Sequence, residues 1–265
     1  MKNEVPIFEY HDLSDKPSNI KNFHSPYVLL KTKFFEQMRW LYQNGYQTLT
    51  IDDLLSCNIP EKSVVLTFDD GHISNYKLSF PILKNFDFMA TFFIVPNFVG
   101  KKSCIAKKHI LEMHKEGMKF GSHSLTHPYL LSLSKGEIIQ ELRESKGKIE
   151  NILKIQINHF SVPYGFYNKY LVRYVEDAGY KGLVTEDFGY YKPNKNSFKV
   201  LPRITVKSHI ALSKFIHIAE RRKNRLRADY LRAQSIQTLK SLFGYRMYIL
   251  VKSLFLKASP TQINR

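Results

Sequence analysis

Two adjacent carboxylates, Asp69 and Asp70, end an apolar run and are the first residues in the sequence that can do chemistry together. The run Val64–Phe68 predicts a buried strand, and Gly71 follows as a turn residue. Catalytic groups of parallel β/α folds lie at the carboxyl ends of strands, where successive residues point to opposite sides. The pair therefore offers two carboxylates with different roles at one site. A solvated Asp-Asp-Gly turn is the alternative for this stretch taken alone.

Two histidines, His123 and His127, follow a second predicted strand, Lys119–Ser122, and lie four residues apart. This spacing lets both imidazoles reach one metal ion, as helical His-x-x-x-His pairs do. Among ten histidines such a pair also arises by chance, and a capping or surface role is the alternative. Two histidines and one carboxylate at strand ends form an open facial metal site. We therefore predict one divalent ion, with zinc first and cobalt, manganese, nickel or iron as alternatives.

A third predicted strand end carries Pro163, Tyr164 and Gly165. Proline fixes the chain direction and glycine permits close backbone approach, which would let the amide of Tyr164 face the site. Taken alone, the tripeptide is only a turn.

The elements that must position these residues are short apolar runs that alternate with helical patterns, as in strands joined by crossover helices. The other predicted strands are Val5–Tyr10, Gln47–Ile51, Ala90–Val95, His159–Val162, Lys181–Thr185 and Phe198–Leu201. The predicted helices are Lys33–Asn44, a helix from the capping box Ser134–Glu137 to about Leu153, and Tyr167–Ala178. Repeated units of this size predict a mostly parallel sheet, closed or nearly closed into a barrel.

Composition indicates a globular protein whose unusual property is its charge. Of 265 residues, 43% are hydrophobic and 24% are charged, which excludes disorder over most of the length. The 40 Lys and Arg residues outnumber 23 Asp and Glu, giving a net charge of +17. Twelve of these basic residues, against only Glu220 and Asp229, follow Ser213. We therefore expect a catalytic domain over residues 1–212 and a basic helical tail over residues 213–265.

The predicted location of the protein is the cytoplasm. The first residues lack an apolar run long enough for a signal peptide, and no stretch of about 18 apolar residues predicts a spanning helix. Two cysteines, Cys57 and Cys104, are too few for a disulfide scaffold.

The basic tail predicts a peripheral contact of residues 214–257 with the anionic inner face of the membrane. It combines the cationic stretch Glu220–Arg232 with the apolar stretch Leu239–Leu256, which suits a helix lying in the interface. The alternative is that this segment packs on the barrel and its cations are solvated. No RNA-binding signature accompanies the charge, so no nucleic-acid partner is expected.

Three motifs, in order along the chain, are Thr67-Phe-Asp-Asp-Gly71, His123-Ser-Leu-Thr-His127 and Val162-Pro-Tyr-Gly165. Together they resemble the NodB-type polysaccharide deacetylases of carbohydrate esterase family 4. The opening Phe8-Glu-Tyr-His11 is similar to the branch that deacetylates bacterial exopolysaccharide. The resemblance covers about residues 5–206. It implies a distorted (β/α)7 barrel and hydrolysis of an N-acetyl group from a sugar.

The resemblance also implies roles for single residues. Asp70, His123 and His127 match the metal ligands of the family. Asp69 matches its general base, and the backbone amide of Tyr164 matches the group that stabilises the oxyanion. These roles agree with general chemistry, since a bound metal polarises the acetyl carbonyl and acidifies its water, and an amide donor stabilises developing negative charge.

Two features depart from the family pattern. Many members carry an arginine before the Pro-Tyr pair that holds the base, but Phe160 and Ser161 occupy that region here. Arg203, on a neighbouring strand, is the candidate replacement, and a surface arginine is the alternative. Many members also supply a late histidine as general acid, which has no match here. The exopolysaccharide branch nominates His11 instead, with His72 beside the carboxylates as the competing candidate.

The predicted function is that of a metal-dependent N-deacetylase acting on an N-acetylated glycan or on a lipid-linked or nucleotide-linked precursor. One alternative keeps the site but changes the substrate to a small amide, as in an amidase or deformylase. A second alternative is a scaffold that binds membrane or RNA through its tail. The presence of the complete set of metal and base positions argues against a scaffold.

Overall fold

The computed structural model describes residues 4–16, 26–55, 59–193, 198–235 and 238. The strands are β1 Val5–Tyr10, β2 Asp12–Ser14, β3 Val28–Leu30, β4 Gln47–Leu49, β5 Ser63–Phe68, β6 Thr91–Ile94, β7 Lys119–Ser122, β8 His159–Ser161, β9 Gly182–Val184, β10 Tyr190–Tyr191, β11 Lys199–Leu201 and β12 Ile204–Thr205. The α-helices are α1 Lys31–Gln43, α2 Phe80–Asn85, α3 Lys107–Lys115, α4 Lys135–Leu153, α5 Lys169–Asp177 and α6 Leu212–Ala219. A π-helical turn, Asn75–Ser79, leads into α2.

The main sheet is a nearly closed barrel of parallel strands. Neighbouring strands run β1-β5-β6-β7-β8-β9-β11, and each pair on this path is parallel. β12 follows β11 after only Pro202 and Arg203, and it pairs in parallel with β1, Phe8 opposite Ile204. β11 and β12 therefore act as one interrupted strand that bridges β9 and β1. This topology confirms the predicted α/β fold with a barrel of the distorted (β/α)7 kind.

Alternation along the strands gives the barrel an apolar floor and a polar rim. Ile7 and Val65 belong to one buried apolar cluster, whereas Phe8 and Leu66 belong to the cluster beneath the helices. Side chains alternate along a strand. Glu9 and His11 therefore lie on the same inner side as Ile7, and Thr67 and Asp69 lie on the same inner side as Val65. The buried polar residues toward the carboxyl ends of the strands are Glu9, Thr67, Asp69, Ser161 and Arg203.

Gly121 shows how closely this interior is packed. A Cβ atom at this position would lie only 2.4 Å from the ring of Phe93. β7 passes this ring because glycine has no side chain, and His123 follows two residues later on the same inner side.

The predicted elements agree with the structure to within two residues at each end. Ser134 caps α4 as predicted, since its side chain accepts a hydrogen bond from the amide of Glu137, and its own amide donates to the Glu137 carboxylate at 2.8 Å. The sequence did not predict β2, β3, β10 and β12 or the helices α2 and α3. Several of these elements have only two to six residues, too few for a periodic pattern to emerge.

The predicted domain boundary after residue 212 falls at the start of α6. Phe215 of this helix stacks on Phe8 of β1 with ring centroids 4.6 Å apart, and Leu226 is buried in the same core. The described residues that follow the boundary therefore pack on the barrel core, up to and including Tyr230. The predicted apolar segment Leu239–Leu256 lies outside the described residues. Within the described part of the chain, no helix has the length and apolar character needed to cross a membrane.

Replacing Phe215 by alanine is expected to lower the free energy of unfolding by about 3–5 kcal/mol, because it removes a fully buried ring from the core. Leu231→Ala, at a side chain that is 65% exposed, is the control and should change it by no more than about 0.5 kcal/mol. Urea unfolding of both variants measures the difference. Equal stabilities would show that α6 is not part of the core.

Candidate metal and acid–base site

Three side-chain atoms that can bind a metal converge beyond the carboxyl ends of β5 and β7. Oδ1 of Asp70 lies 3.4 Å from Nε2 of His123 and 3.4 Å from Nε2 of His127, and the two nitrogens are 3.2 Å apart. Zinc binds such ligands at about 2.0–2.1 Å, which places neighbouring tetrahedral ligands about 3.3 Å apart. The separations of the three predicted ligands are therefore those that a zinc ion requires.

The electrostatics of these residues also suit a cation. Oδ1 of Asp70 is buried and has no hydrogen-bond partner among the described residues, which is costly for a carboxylate oxygen. Burial opposes ionisation of Asp70, but its interactions with His123, His11 and His127 outweigh burial and hold its pKa below the usual range. Burial and the neighbouring charge of His123 lower the pKa of His127 to about 4. An ionised carboxylate and a neutral imidazole are the forms that bind metal.

Three of the residues that the sequence assigns to the site adopt a rarely populated backbone conformation. The angle φ is +70° at Asp70, +63° at His127 and +61° at Tyr164. This left-handed region costs a residue with a side chain roughly 1–2 kcal/mol. Such strain persists where the surrounding structure determines the conformation, and it concentrates at functional sites. All three residues are ones that the sequence assigns to the site.

Two residues that the sequence did not single out as supports hold the histidines. Nδ1 of His123 lies 2.8 Å from the carbonyl oxygen of Ser161, so Nδ1 carries the hydrogen and Nε2 is left to bind a metal. Glu141 of α4 anchors the loop that follows His123. Its carboxylate accepts the amides of Leu125 and Thr126 at 2.8 and 2.9 Å and the Thr126 hydroxyl at 2.6 Å.

Glu141→Gln is expected to weaken metal binding about 10-fold to 100-fold, because the neutral amide cannot accept all three hydrogen bonds that fix the histidine loop. The matched control is Glu144→Gln, an exposed position on the same helix. Competition with a chelator measures both affinities. Wild-type affinity in both variants would rule out this anchoring role.

The predicted base, Asp69, is paired with Arg203. Nη1 and Nη2 of Arg203 donate to the two oxygens of Asp69 at 2.8 and 2.7 Å, and the Ser161 hydroxyl donates to Oδ2 at 3.0 Å. Arg203 is only 1% exposed, which excludes the surface-arginine alternative. Burial raises the pKa of Asp69, but the charges of Arg203 and His123 outweigh it and lower the pKa to about 2.

His11 belongs to a second cluster with Glu9 and Asp69, in which one ligand-type atom from each residue lies within 4.8 Å of the others. Arg203 already binds both oxygens of Asp69, so a guanidinium rather than a metal ion neutralises this cluster. The side chain of Asn75 donates to the backbone carbonyl of His11 at 2.7 Å and fixes that end of β1. The arrangement suits proton transfer more than metal binding.

His72, the competing candidate for the general acid, contacts a different set of groups. Its Nδ1 lies 2.8 Å from Oγ of Ser74 and 3.6 Å from Oδ1 of Asp12. Of the two candidates for the general acid, His11 is the one that clusters with Asp69.

The ring of Tyr164 packs against that of His127 with centroids 4.8 Å apart, which brings the predicted oxyanion residue beside the metal ligands.

Comparison with known proteins agrees with this geometry. Residues 57–183 match the family model of polysaccharide deacetylases. YxkH of Bacillus subtilis, which is named as a polysaccharide deacetylase, is 33% identical over 189 residues, or 69% of this chain and 65% of that protein. The chain carries a polysaccharide deacetylase domain. The resemblance that the three motifs predict is thereby confirmed, and the chain spans slightly less than two thirds of the length of this relative.

Further relatives of this deacetylase domain share its fold. The poly-β-1,6-N-acetyl-D-glucosamine N-deacetylase of Staphylococcus aureus is 28% identical over 200 residues, which is 68% of each chain. The Streptococcus pyogenes deacetylase PplD, solved with acetate, has a TM-score of 0.75 at 25% identity and covers 83% of this chain and 100% of that one. IcaB from Ammonifex degensii, at 22% identity and a TM-score of 0.71 over 82% of this chain and 97% of that one, supports the fold alone.

Proposed function

We propose that the deacetylase domain removes acetyl groups from an amino sugar of a glycan or glycan precursor in a metal-dependent hydrolysis. The observation that carries the proposal is the convergence of Asp70, His123 and His127 beside the ionised carboxylate of Asp69. The name of the Staphylococcus aureus relative, an N-deacetylase of poly-β-1,6-N-acetyl-D-glucosamine, supports this substrate class.

Asp70, His123 and His127 would hold the metal, with zinc favoured by the donor set and the ligand separations. The bound ion would polarise the acetyl carbonyl and lower the pKa of water from about 15.7 to about 7. Asp69 is held in its ionised form by the charge of Arg203 and is therefore available to accept a proton.

The residues of the chain supply the rest of the mechanism. Asp69, oriented by both nitrogens of Arg203, accepts a proton from the attacking water. The backbone amide of Tyr164 donates a hydrogen bond to the oxyanion that forms on the acetyl carbon. His11 donates a proton to the leaving amine as the C–N bond breaks.

His11→Ala is expected to lower the rate most at pH values where protonation of the leaving amine limits turnover, whereas His72→Ala should retain most of the activity. The reason is position, since His11 clusters with Asp69 and His72 contacts Ser74. The measurement is the pH profile of kcat/KM for both variants. A wild-type profile in His11→Ala together with an inactive His72→Ala would assign the acid to His72.

Acetate release from N-acetylglucosamine oligomers and from small N-acyl amides tests the proposed substrate class. The proposal expects a larger kcat/KM on the oligomers, and preference for small amides would instead identify an amidase or deformylase. The cytoplasmic location, the lipid-linked or nucleotide-linked precursor, and the membrane contact through residues 214–257 stay predictions.

A further inference from the structure

Glu9 is a fully buried acid that the proposed mechanism does not use, and its two oxygens have different surroundings. Oε2 accepts a hydrogen bond from the Thr205 hydroxyl at 3.0 Å and lies 3.6 Å from Nε of Arg203. Oε1 is enclosed and has no hydrogen-bond partner in the part of the chain that the structure describes. An enclosed carboxylate oxygen without a donor is costly, so a neighbouring group with a positive charge would stabilise Glu9.

That group is the imidazole of His11. Its Nε2 lies 3.6 Å from Oε1 of Glu9, which is an ion-pair distance rather than a hydrogen bond. The other ring nitrogen, Nδ1, is enclosed and has no hydrogen-bond partner among the described residues. Nε2 is therefore the ring atom that lies near Glu9 and that can donate a proton to a substrate. At this distance Glu9 acts on the ring through its charge and leaves the Nε2 hydrogen free for a substrate.

We propose that Glu9 is a positioning residue for His11, whose ring it orients through Oε1 and Nε2 and stabilises in the protonated form. The inference rests on the proposed function, in which His11 is the general acid. When the C–N bond of the substrate breaks, the Nε2 proton passes to the amine nitrogen. The neutral ring then regains a proton from solvent, to which Asp69 releases the proton that it accepted, and Glu9 favours this return because its charge stabilises the imidazolium.

The charges around His11 agree with this role. Burial lowers the pKa of His11, but carboxylates outweigh it and raise the pKa, Glu9 first, followed by Asp70, Asp69 and Glu186. Burial also raises the pKa of Glu9 to about 7, against the opposing charge of Arg203. Glu9 is therefore the carboxylate that contributes most to keeping the His11 ring protonated.

Arg203 links this pair to the base. Its Nη atoms bind Asp69 and its Nε lies near Glu9, so one buried guanidinium contacts both carboxylates. A variant of Glu9 leaves the two Arg203–Asp69 hydrogen bonds in place, and we therefore expect it to fold.

The test compares the zinc-loaded full chain with three variants. Glu9→Gln keeps the size of the side chain and removes its charge. Glu9→Asp keeps the charge but moves it away from His11 by the length of one methylene group. The control, Thr205→Val, removes the hydrogen bond to Oε2 without changing the charge of the pair. An NMR titration of the His11 ring, assigned by its absence in His11→Gln, reports its pKa without any need for activity. The pH profile of kcat/KM is recorded beside it.

Glu9→Gln is expected to lower the pKa of His11 by about 1–3 units, because an opposite charge at this distance is lost. The alkaline limb of the profile should move to lower pH by the same amount, since less of the acid is protonated. Glu9→Asp should show a smaller shift in the same direction, which also tests the proposal if Glu9→Gln does not fold. Thr205→Val keeps the carboxylate of Glu9 in place, so it should shift the titration less than Glu9→Gln does.

An unchanged His11 titration in the Glu9 variants would overturn the proposal, whatever the activity. If Glu9→Gln shifts the His11 titration but the wild type releases no acetate, the pairing of Glu9 with His11 is supported and the deacetylase function is overturned. The two failures are therefore distinguishable.

Discussion

Replacing His123 by alanine is expected to abolish both metal retention and turnover. Its Nε2 lies 3.2 Å from the nitrogen of His127 and 3.4 Å from the oxygen of Asp70, so the change removes one of three converging ligands. Two protein ligands are too few for a stable site of this kind. Elemental analysis of the purified variant measures the metal, and acetate release from N-acetylglucosamine oligomers measures turnover.

The matched control is His209→Ala, an exposed histidine away from the three ligands, which should keep metal and activity. Circular dichroism establishes that both variants are folded. Because His123 is almost fully buried, His127→Ala provides a second variant with the same expected loss at a less buried ligand. Stoichiometric metal and full activity in either ligand variant would show that the site assignment is wrong.

Asp69→Asn should keep the metal and lose on the order of 10² or more in turnover, the usual scale for a general base. The amide keeps the shape of the carboxylate but cannot accept the proton of the attacking water. The three predicted metal ligands are unchanged, so the metal content should equal that of the wild type. Paired measurements of metal content and kcat separate this role from a ligand role.

Asp87→Asn, an exposed aspartate, serves as the control for the charge change and should behave as the wild type. If Asp69→Asn loses the metal together with its activity, Asp69 is a ligand rather than the base. If it keeps full activity, another group accepts the proton.

The sequence was sufficient to predict the residues at the strand ends, and the reason is topological. Parallel strands bring their carboxyl ends to one edge of a sheet, so Asp69, Asp70, His123 and His127 could be placed together from their positions after apolar runs. Arg203 could be nominated because the base needs a cation and the usual position holds Ser161. The hydroxyl of Ser161 contributes in another way, since it donates to Asp69 at 3.0 Å.

The supports of the site could not be predicted, because they depend on packing between distant elements. Glu141 reaches the histidine loop from the middle of a helix whose pattern indicates only which face is buried. Glu9 belongs to the site because β12, a strand of two residues, closes the barrel against β1. Neither contact leaves a periodic signal in the sequence.

The predicted domain boundary after residue 212 rests on a change in composition. Net charge changes sharply after residue 212, yet the same stretch contains Phe215, Ile218 and Leu226, which are buried in the barrel core. Charged residues on the solvent side of a helix change the composition without marking the end of a domain. Burial of the apolar residues, rather than charge, identifies where the described core ends.

The most direct test of the account is acetate release by the full chain from N-acetylglucosamine oligomers, first as purified, then after removal of metal by a chelator, and finally after zinc is added back. Mass spectrometry of the oligomers follows the exchange of acetyl for hydrogen on each sugar. The account predicts deacetylated product that is lost with the metal and restored by zinc in the wild type but not in His123→Ala. Product formation that persists in the metal-free wild type, or in zinc-treated His123→Ala, would contradict it.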